Sequence, residues 1–566
     1  MADGNAYSHP GVYIHELPGI PTISSVSTSI PVFVGQTQTL DPADRYVARQ
    51  VKGWADYRNR YGDYVWGAEV SKAVYEFFAE GGALCYVIGV NSTTQLAAAG
   101  NKSVQDLTGS YAFNAASAGE WGNLLYISFV DAAPVPPKKA SNYFNVNVLV
   151  SALDVDGVQP TVATRLLKQY ITDNSIKPVN GYYVIESFGS FTFSSIINGG
   201  VNGILCKLVT QINAKSIFIR VAGVKPNTTL SLTTSRAGKG IQLSAGKAFD
   251  LSNYGGAWPA LASVADATLV AVPDAAVVDM TASGGDDVKK YKTNIIRDGV
   301  LQACENLPNL FYVIDPPYVG TTINATTGQA IDNSQNIVDF VLGTSDNLPL
   351  SSNENAAVYY PWPVVLNPIS GTNVPVPPCG PVLGCIARTD INAGVHYSPA
   401  GVANGQIKTA TGMTKWLGES DQDSCNPHGI NVIRNIPGYG ITIYGARTLA
   451  VGTEWQYVAV RRFVTFVELS LKAGLQWVVF EPSTDFLWTT IIREVTAFLS
   501  LLWNEGALFG ATPEEAFFVT CDETNNTPAH RTQGVLNVDV GLAVLYPVEF
   551  VVIRIAQITS APSSGS

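Results

Sequence analysis

The stretch that most constrains this chain runs from Tyr439 to Ile555, where a glycine-punctuated strand, two long amphipathic runs and a final apolar strand follow with almost no filler. Its first strand is Gly440-Ile441-Thr442-Ile443-Tyr444-Gly445. From Glu454 to Ala473, the residues Val458, Phe463, Phe466, Val467, Leu469 and Leu471 are spaced as in an amphipathic helix, and Gly474 stands where such a helix stops. Gln476-Trp477-Val478-Val479-Phe480 then reads as a short buried strand ending at Glu481-Pro482. Ser483, Thr484 or Asp485 can cap a second helix, whose Trp488, Ile491, Ile492, Val495, Phe498, Leu499 and Leu502 form one stripe ending at Gly506.

The motifs in this stretch are Tyr444-Gly445-Ala446-Arg447-Thr448, Glu454-Trp455, Val460-Arg461-Arg462, the run Gln476 to Pro482, and Gly510-Ala511-Thr512-Pro513-Glu514-Glu515-Ala516-Phe517. In that order they resemble the C-terminal domain of contractile tail sheath proteins, which sheathe contractile bacteriophage tails, R-type bacteriocins and extracellular injection machines. Several long motifs in one order are far more specific than a single short pattern. The resemblance extends upstream through Phe77-Phe78 before Gly81-Gly82, Tyr359-Tyr360-Pro361-Trp362, Pro377 to Gly384, Ala387 to Asp390, Gly394-Val395-His396 and Pro399-Ala400.

A chain of 566 residues exceeds one compact core, and its length suggests about three or four domains. A net charge of -11 without a cluster of Lys and Arg argues against a nucleic-acid surface, which needs concentrated positive charge. The opening Met1-Ala2-Asp3-Gly4-Asn5 has neither a basic nor an apolar signal region, and no run of about 18 apolar residues predicts a membrane span. Work outside a cell would therefore follow lysis or release as part of a particle. The seven cysteines are odd in number and scattered, as expected of reduced core thiols. Cys379 and Cys385 are the nearest pair, and without a second pair no metal is expected.

The expected fold class is α/β (α+β) and multidomain. Residues 1–22 form an N-terminal arm, in which Val12 and Ile14 face one side of a short strand and Tyr13 the other. An isolated strand is unstable in water, so it docks on its own core or completes a sheet in another subunit; the residues leave both open. Residues 23–90 read as a first core segment with a strand at Pro31–Gly35, a helix at 68–79 and a strand at 84–88. Residues 91–246, rich in Ser, Thr, Asn and Gly, read as an all-β surface insertion. Residues 247–379 return to an α/β pattern with a βαβ crossover built from Thr268–Val272, a helix over 293–306 and Leu310–Asp315. Residues 380–534 complete the C-terminal core, and 535–566 form C-terminal arm strands, including Phe550, Val551, Val552, Ile553 and Ile555, with a mobile tail. Asn525 to Gln533 reads as a flexible linker.

Catalysis is not expected. A serine protease needs a nucleophile, an imidazole base and a carboxylate together, and the candidates Ser345, His428 and Asp274 lack the surrounding signature. His396 reads as a turn residue. Gly240 to Gly246-Lys247 has one residue too many for a phosphate loop, and Ala248 follows the lysine, so no nucleotide or other cofactor is expected.

The resemblance implies a sheath core made discontinuously from N- and C-terminal segments, a subtilisin-like fold for residues 247–379, and arms that add strands to a neighbour's C-terminal sheet. It implies a helical homo-oligomer of stacked hexameric rings around an inner tail tube protein, together with baseplate and tail terminator proteins. It also implies assembly in the bacterial host cytoplasm and residence in a virion tail or released injection particle. The polar face of the second helix, Thr489, Arg493 and Glu494, is the candidate tube contact. Arg447, Arg461 and Arg462 either pair with carboxylates of another subunit or solvate one helix face.

Overall fold

The computed structural model describes residues 23–91, 99–100, 111–117, 120–131, 143–156, 162–192, 205–223, 241–243, 251–277, 289–307, 309–318, 333–344, 346–350 and 352–550. Two units divide them. The larger holds Ser27–Thr465 and residues 546–550, and the smaller holds residues 23–26 and Phe466–Leu545.

An eight-stranded sheet organises the larger unit. Its strands in chain order are β1 (Pro31–Gly35), β2 (Arg49–Val51), β3 (Cys85–Gly89), β4 (Leu269–Ala271), β5 (Phe311–Ile314), β6 (Ala356–Tyr360), β7 (Ile430–Ile436) and β8 (Gly440–Ile443). They lie in the order β8-β7-β6-β5-β4-β1-β3-β2. The run from β7 to β3 is parallel, and β8 and β2 close the two ends antiparallel. Parallel strands are covered on both faces, which is why β1 and β4 to β6 are continuous apolar runs and fully buried. Three stretches far apart in sequence thus share one sheet, so boundaries placed at 246/247 and 379/380 do not divide it. Parallel pairing joins strands through long crossovers, and no local spacing shows which crossover returns to which strand.

Two helices cover one face: α1 (Glu69–Ala79) and α2 (Cys379–Asn392). They cross with backbones nearly touching, because a Cβ on Gly380 would lie 2.7 Å from Ala73 Cα and one on Gly384 2.7 Å from the Phe77 carbonyl. The run Pro377 to Gly384 therefore does return the chain to its first segment. The expected crossover helix spans Tyr291 to Asn306, its first part Tyr291–Leu301 wound as a π-helix.

The insertion departs from an all-β reading. It has a three-stranded and a five-stranded antiparallel sheet, but also helices at Val162–Asp173 and Leu205–Lys215. Leu166, Leu167, Tyr170 and Ile171 are buried on the first of these, at a helical spacing that the polar composition around it hides.

In the smaller unit, α3 (Val458–Gly474) supplies its second half, α4 (Asp485–Asn504) lies alongside, and β9 (Phe517–Thr520) pairs antiparallel with β10 (Asp539–Leu542). Thr484 caps α4 by accepting from the Leu487 N–H. By length and composition alone α4 could cross a bilayer, yet its stripe from Leu487 to Leu502 is packed inside the unit, as in any core helix. The expected strand at Gln476–Phe480 is absent: Gln476–Val478 is a single 3-10 turn, and Val479 and Phe480 are exposed. Asn525 to Gln533 is no flexible linker either, since the fully buried Asn526 donates to the Asn537 carbonyl and accepts from its N–H.

Candidate functional site

The smaller unit carries the features that a binding surface needs. On α4 the stripe Trp488, Ile491, Val495, Phe498, Leu499 and Leu502 turns inward, with Phe498 packed on Phe466 of α3. What remains outside is Phe486, 82% exposed, then Thr489, Arg493, Ala497 and Leu501. Thr489 and Arg493 thus fall on the open face. Glu494 does not: it is buried on the inner stripe beside the Trp477 indole, and burial raises its pKa. Its position three residues beyond Ile491 puts it on the core side, a consequence of the helical repeat that grouping by polarity overlooked.

The loop between α3 and α4 carries Phe480, a non-glycine residue at φ 74 whose side chain is fully solvent-exposed. A bulky side chain in the left-handed region costs energy and persists where surrounding structure imposes it. Neither Phe480 nor Phe486 had a sequence signal as an exposed site, because apolar residues beside amphipathic helices read as core.

The ribbon β9–β10 is the other open feature. Phe518 is 61% exposed, and Phe509, which donates its N–H to the Ala543 carbonyl beyond β10, is 68% exposed. Among the described residues, no strand pairs with the outer edge of β9. A two-stranded ribbon is marginal in water without further cover.

The arm residues Val12, Tyr13, Ile14, Val551, Val552, Ile553 and Ile555 lie outside the described residues, and Phe550 is 73% exposed. The three arginines expected between subunits or on a solvated face are instead engaged inside the larger unit. Arg462 forks onto Asp390 at 3.0 and 2.5 Å, each side chain 4% exposed. Arg461 donates to Asn355 Oδ1 at 3.0 Å and stacks over Trp455. Arg447 forks onto Glu549, its Nε lying 2.9 Å from Oε1, and this pairing holds the guanidinium charged. Asp390, Glu549 and Asn355 sit 72, 102 and 106 positions from their arginines, so local sequence could not reveal them.

The residues weighed for catalysis are spent on structure. Asp274 accepts the backbone N–H of Gln36 at 2.7 Å and of Glu69 at 2.6 Å, which caps α1. Burial, reinforced by neighbouring Glu69, pushes it up to about 8. Gly35 is obligatory beside it, since a Cβ there would lie 2.1 Å from Asp274 Oδ2. His428 ends the short turn Asn426–His428, His396 packs against the Tyr397 ring, and Ser345 lies outside the described residues. So do Gly240, Gly246 and Lys247. Cys85, Cys304, Cys379, Cys385, Cys425 and Cys521 are buried free thiols, and among the described residues no group of three His, Cys, Asp or Glu side chains could hold a metal ion.

Residues 311–449 match the phage tail sheath protein central domain, and residues 450–558 match the phage tail sheath C-terminal domain. Residues 311–558 belong to the phage tail sheath family. The tail sheath protein of Vibrio phage KVP40 is 28% identical over 152 residues, 27% of this chain and 22% of that protein. The tail sheath protein of Enterobacteria phage T4 is 24% identical over 218 residues, 38% of this chain and 32% of that protein. The matched segments thus span less than a third of either relative. The helical sheath of the anti-feeding prophage in its contracted state has the same fold across 98% of this chain and all of that chain, with a TM-score of 0.52 and 19% identity. Within the sheath C-terminal domain lie α4, the loop at Phe480 and the ribbon β9–β10; the sheath central domain supplies β5 to β8 and α2.

Proposed function

We propose that the chain is the structural subunit of a contractile sheath: copies polymerise helically, as stacked hexameric rings, around an inner tube, and contraction drives the tube through a target envelope without nucleotide hydrolysis. The observation that carries this reading is the ribbon β9–β10, a half-built sheet inside the sheath C-terminal domain. Strands from other copies, Val12–Ile14 from one and Phe550–Ile555 from another, would complete it by main-chain pairing. Paired edges then hold neighbours together while the units move, and apolar area gained on contraction, at roughly 25 cal/mol per Å², adds over every copy.

In this reading Thr489 and Arg493 on α4 face the tube, baseplate and terminator proteins hold the two ends of the sheath, and assembly takes place in the host cytoplasm before the virion or particle is released. Residues 247–379 are the subtilisin-like part of the large sheet, kept as scaffold, with Asp274 serving as a helix cap. A headless bacteriocin or injection particle would use the same subunit, and imaging lysates for sheathed tails with or without capsids separates the two. The central test is electron microscopy of purified protein. The full chain should form tubes of one or two diameters, and deletion of residues 1–20 should give a folded, soluble monomer without them. Long regular tubes from the deletion would overturn strand sharing.

A further inference from the structure

The chain passes between its two units at 26/27, 465/466 and 545/546. On the larger unit, beside these passages, stand two arginines. Arg462 binds Asp390 of α2 through both Nη atoms, and its Nη2 also donates to the Thr28 carbonyl at 2.9 Å. That carbonyl accepts a second bond from Thr268 Oγ1 at 2.7 Å, while Thr28 Oγ1 donates to Asp390 Oδ2 at 2.7 Å. Residue 28 is thereby held from both sides just after the chain enters the larger unit, although residues 24, 25 and 27 around it are exposed.

The other end repeats the arrangement. Arg447 is locked in place because Asn431 of β7 accepts its N–H and donates to its carbonyl, at 2.7 and 2.8 Å. Its Nη1 donates to the Asn426 carbonyl at 3.1 Å, and its Nε and Nη2 close on Glu549. The segment that Glu549 belongs to has little else to hold it: Tyr546 is 54% exposed, Val548 80% and Phe550 73%, with one ring contact from Tyr546 to Tyr457.

We propose that Arg447 and Arg462 are positioning residues that fix the roots of the two chain ends on their own larger unit. This rests on the sheath reading, in which those ends go on to pair with neighbouring copies. Forked guanidinium–carboxylate pairs are directional and charge-assisted, and when desolvated they resist separation far better than rim pairs. A pull that passes Val26, whose N–H donates to Ser470 Oγ in the smaller unit, is delivered at Thr28 to α2 and α3, and a pull on the C-terminal end to β7, so each end meets the larger unit at a defined residue.

Limited proteolysis of the unassembled full-length chain with a broad-specificity protease tests this. Arg447→Met should speed cleavage within residues 546–550 about tenfold, the loss expected for a hydrogen-bonded charge pair, with β6 and β7 uncut. Thr268→Val, which spares the buried ion pair, should speed cleavage near Thr28 about threefold. The exchanged pair Arg447→Glu with Glu549→Arg in one chain should restore slow cleavage, whereas mixing the two single variants should not. Unchanged cleavage within 546–550 in Arg447→Met, or slow cleavage regained on mixing, would overturn anchoring within the chain. Failure of the wild-type chain to form tubes would instead count against the sheath reading and leave the cleavage result intact.

Discussion

The larger and smaller units handle difficult groups in opposite ways. The larger buries charges and answers them within the chain: Arg462 with Asp390, Lys72 with Glu69, Lys292 with Asp346, and Glu80 with Arg388. The smaller gathers phenylalanines in water, with Phe480, Phe486, Phe509 and Phe518 all more than 60% exposed, whereas in the larger unit Phe550 is the one described phenylalanine left exposed, alongside Leu153, Ile391, Trp416 and Val548. The eight-stranded sheet ends in two short antiparallel strands, and residues 405–407 hydrogen-bond along the outer edge of β8, whereas a two-stranded ribbon edged by exposed phenylalanines is what an interface looks like before its partner arrives. The contrast teaches where folding ends and assembly begins in one chain.

The largest effect expected from breaking that contrast is in the larger unit. Arg462→Ala strands Asp390 in the interior and should cost about 3–5 kcal/mol, read as a lower denaturant midpoint of that unit. A change under about 1 kcal/mol would mean that the pair is not desolvated as described. Next, Phe498→Ala should cost the smaller unit about 3 kcal/mol or more, seen as faster exchange along α4 with the eight-stranded sheet unaffected; equal loss in both units would show that they unfold as one.

A pH comparison sharpens the difference further. Burial raises Asp315, whose Oδ1 accepts the Cys379 N–H, to about 7, and Asp274 to about 8. Because these folded values lie above the ordinary carboxylate range, the stability they allow is complete at acid pH and declines as pH rises toward 7 to 8. Asp315→Asn should therefore flatten the difference in stability between pH 5 and pH 8, and an unchanged slope would show that Asp315 is ionised throughout. The smallest effect concerns Phe480, where Phe480→Gly should stabilise the isolated chain by about 0.5–1 kcal/mol by relieving the left-handed backbone while weakening tube formation. Normal tubes from that variant would mean that the exposed ring serves no contact.

Much of the fold was legible because apolar spacing is local. Pro31–Gly35, the helix ending at Ala79, the crossover from Leu269–Ala271 to Phe311–Ile314, α3 and α4 all follow from it, and the ordered motifs from Tyr444 to Phe517 announce the sheath domains. The candidate site was legible only in part. Thr489 and Arg493 emerge on the open face, but Glu494 follows the helical repeat inward, and Gln476–Phe480 has the composition of a strand without a sheet to join.

By itself, then, the sequence determined most strands and helices outside the insertion and which family the second half belongs to, because both depend on residues close together or in fixed order. Tertiary structure alone decided that residues 31–89, 269–360 and 430–443 share one sheet, that Arg447 and Arg462 find Glu549 and Asp390, and that Phe480 stands in water. Those outcomes depend on which distant groups the folded backbone brings within hydrogen-bonding reach, and spacing along the chain has no bearing on that.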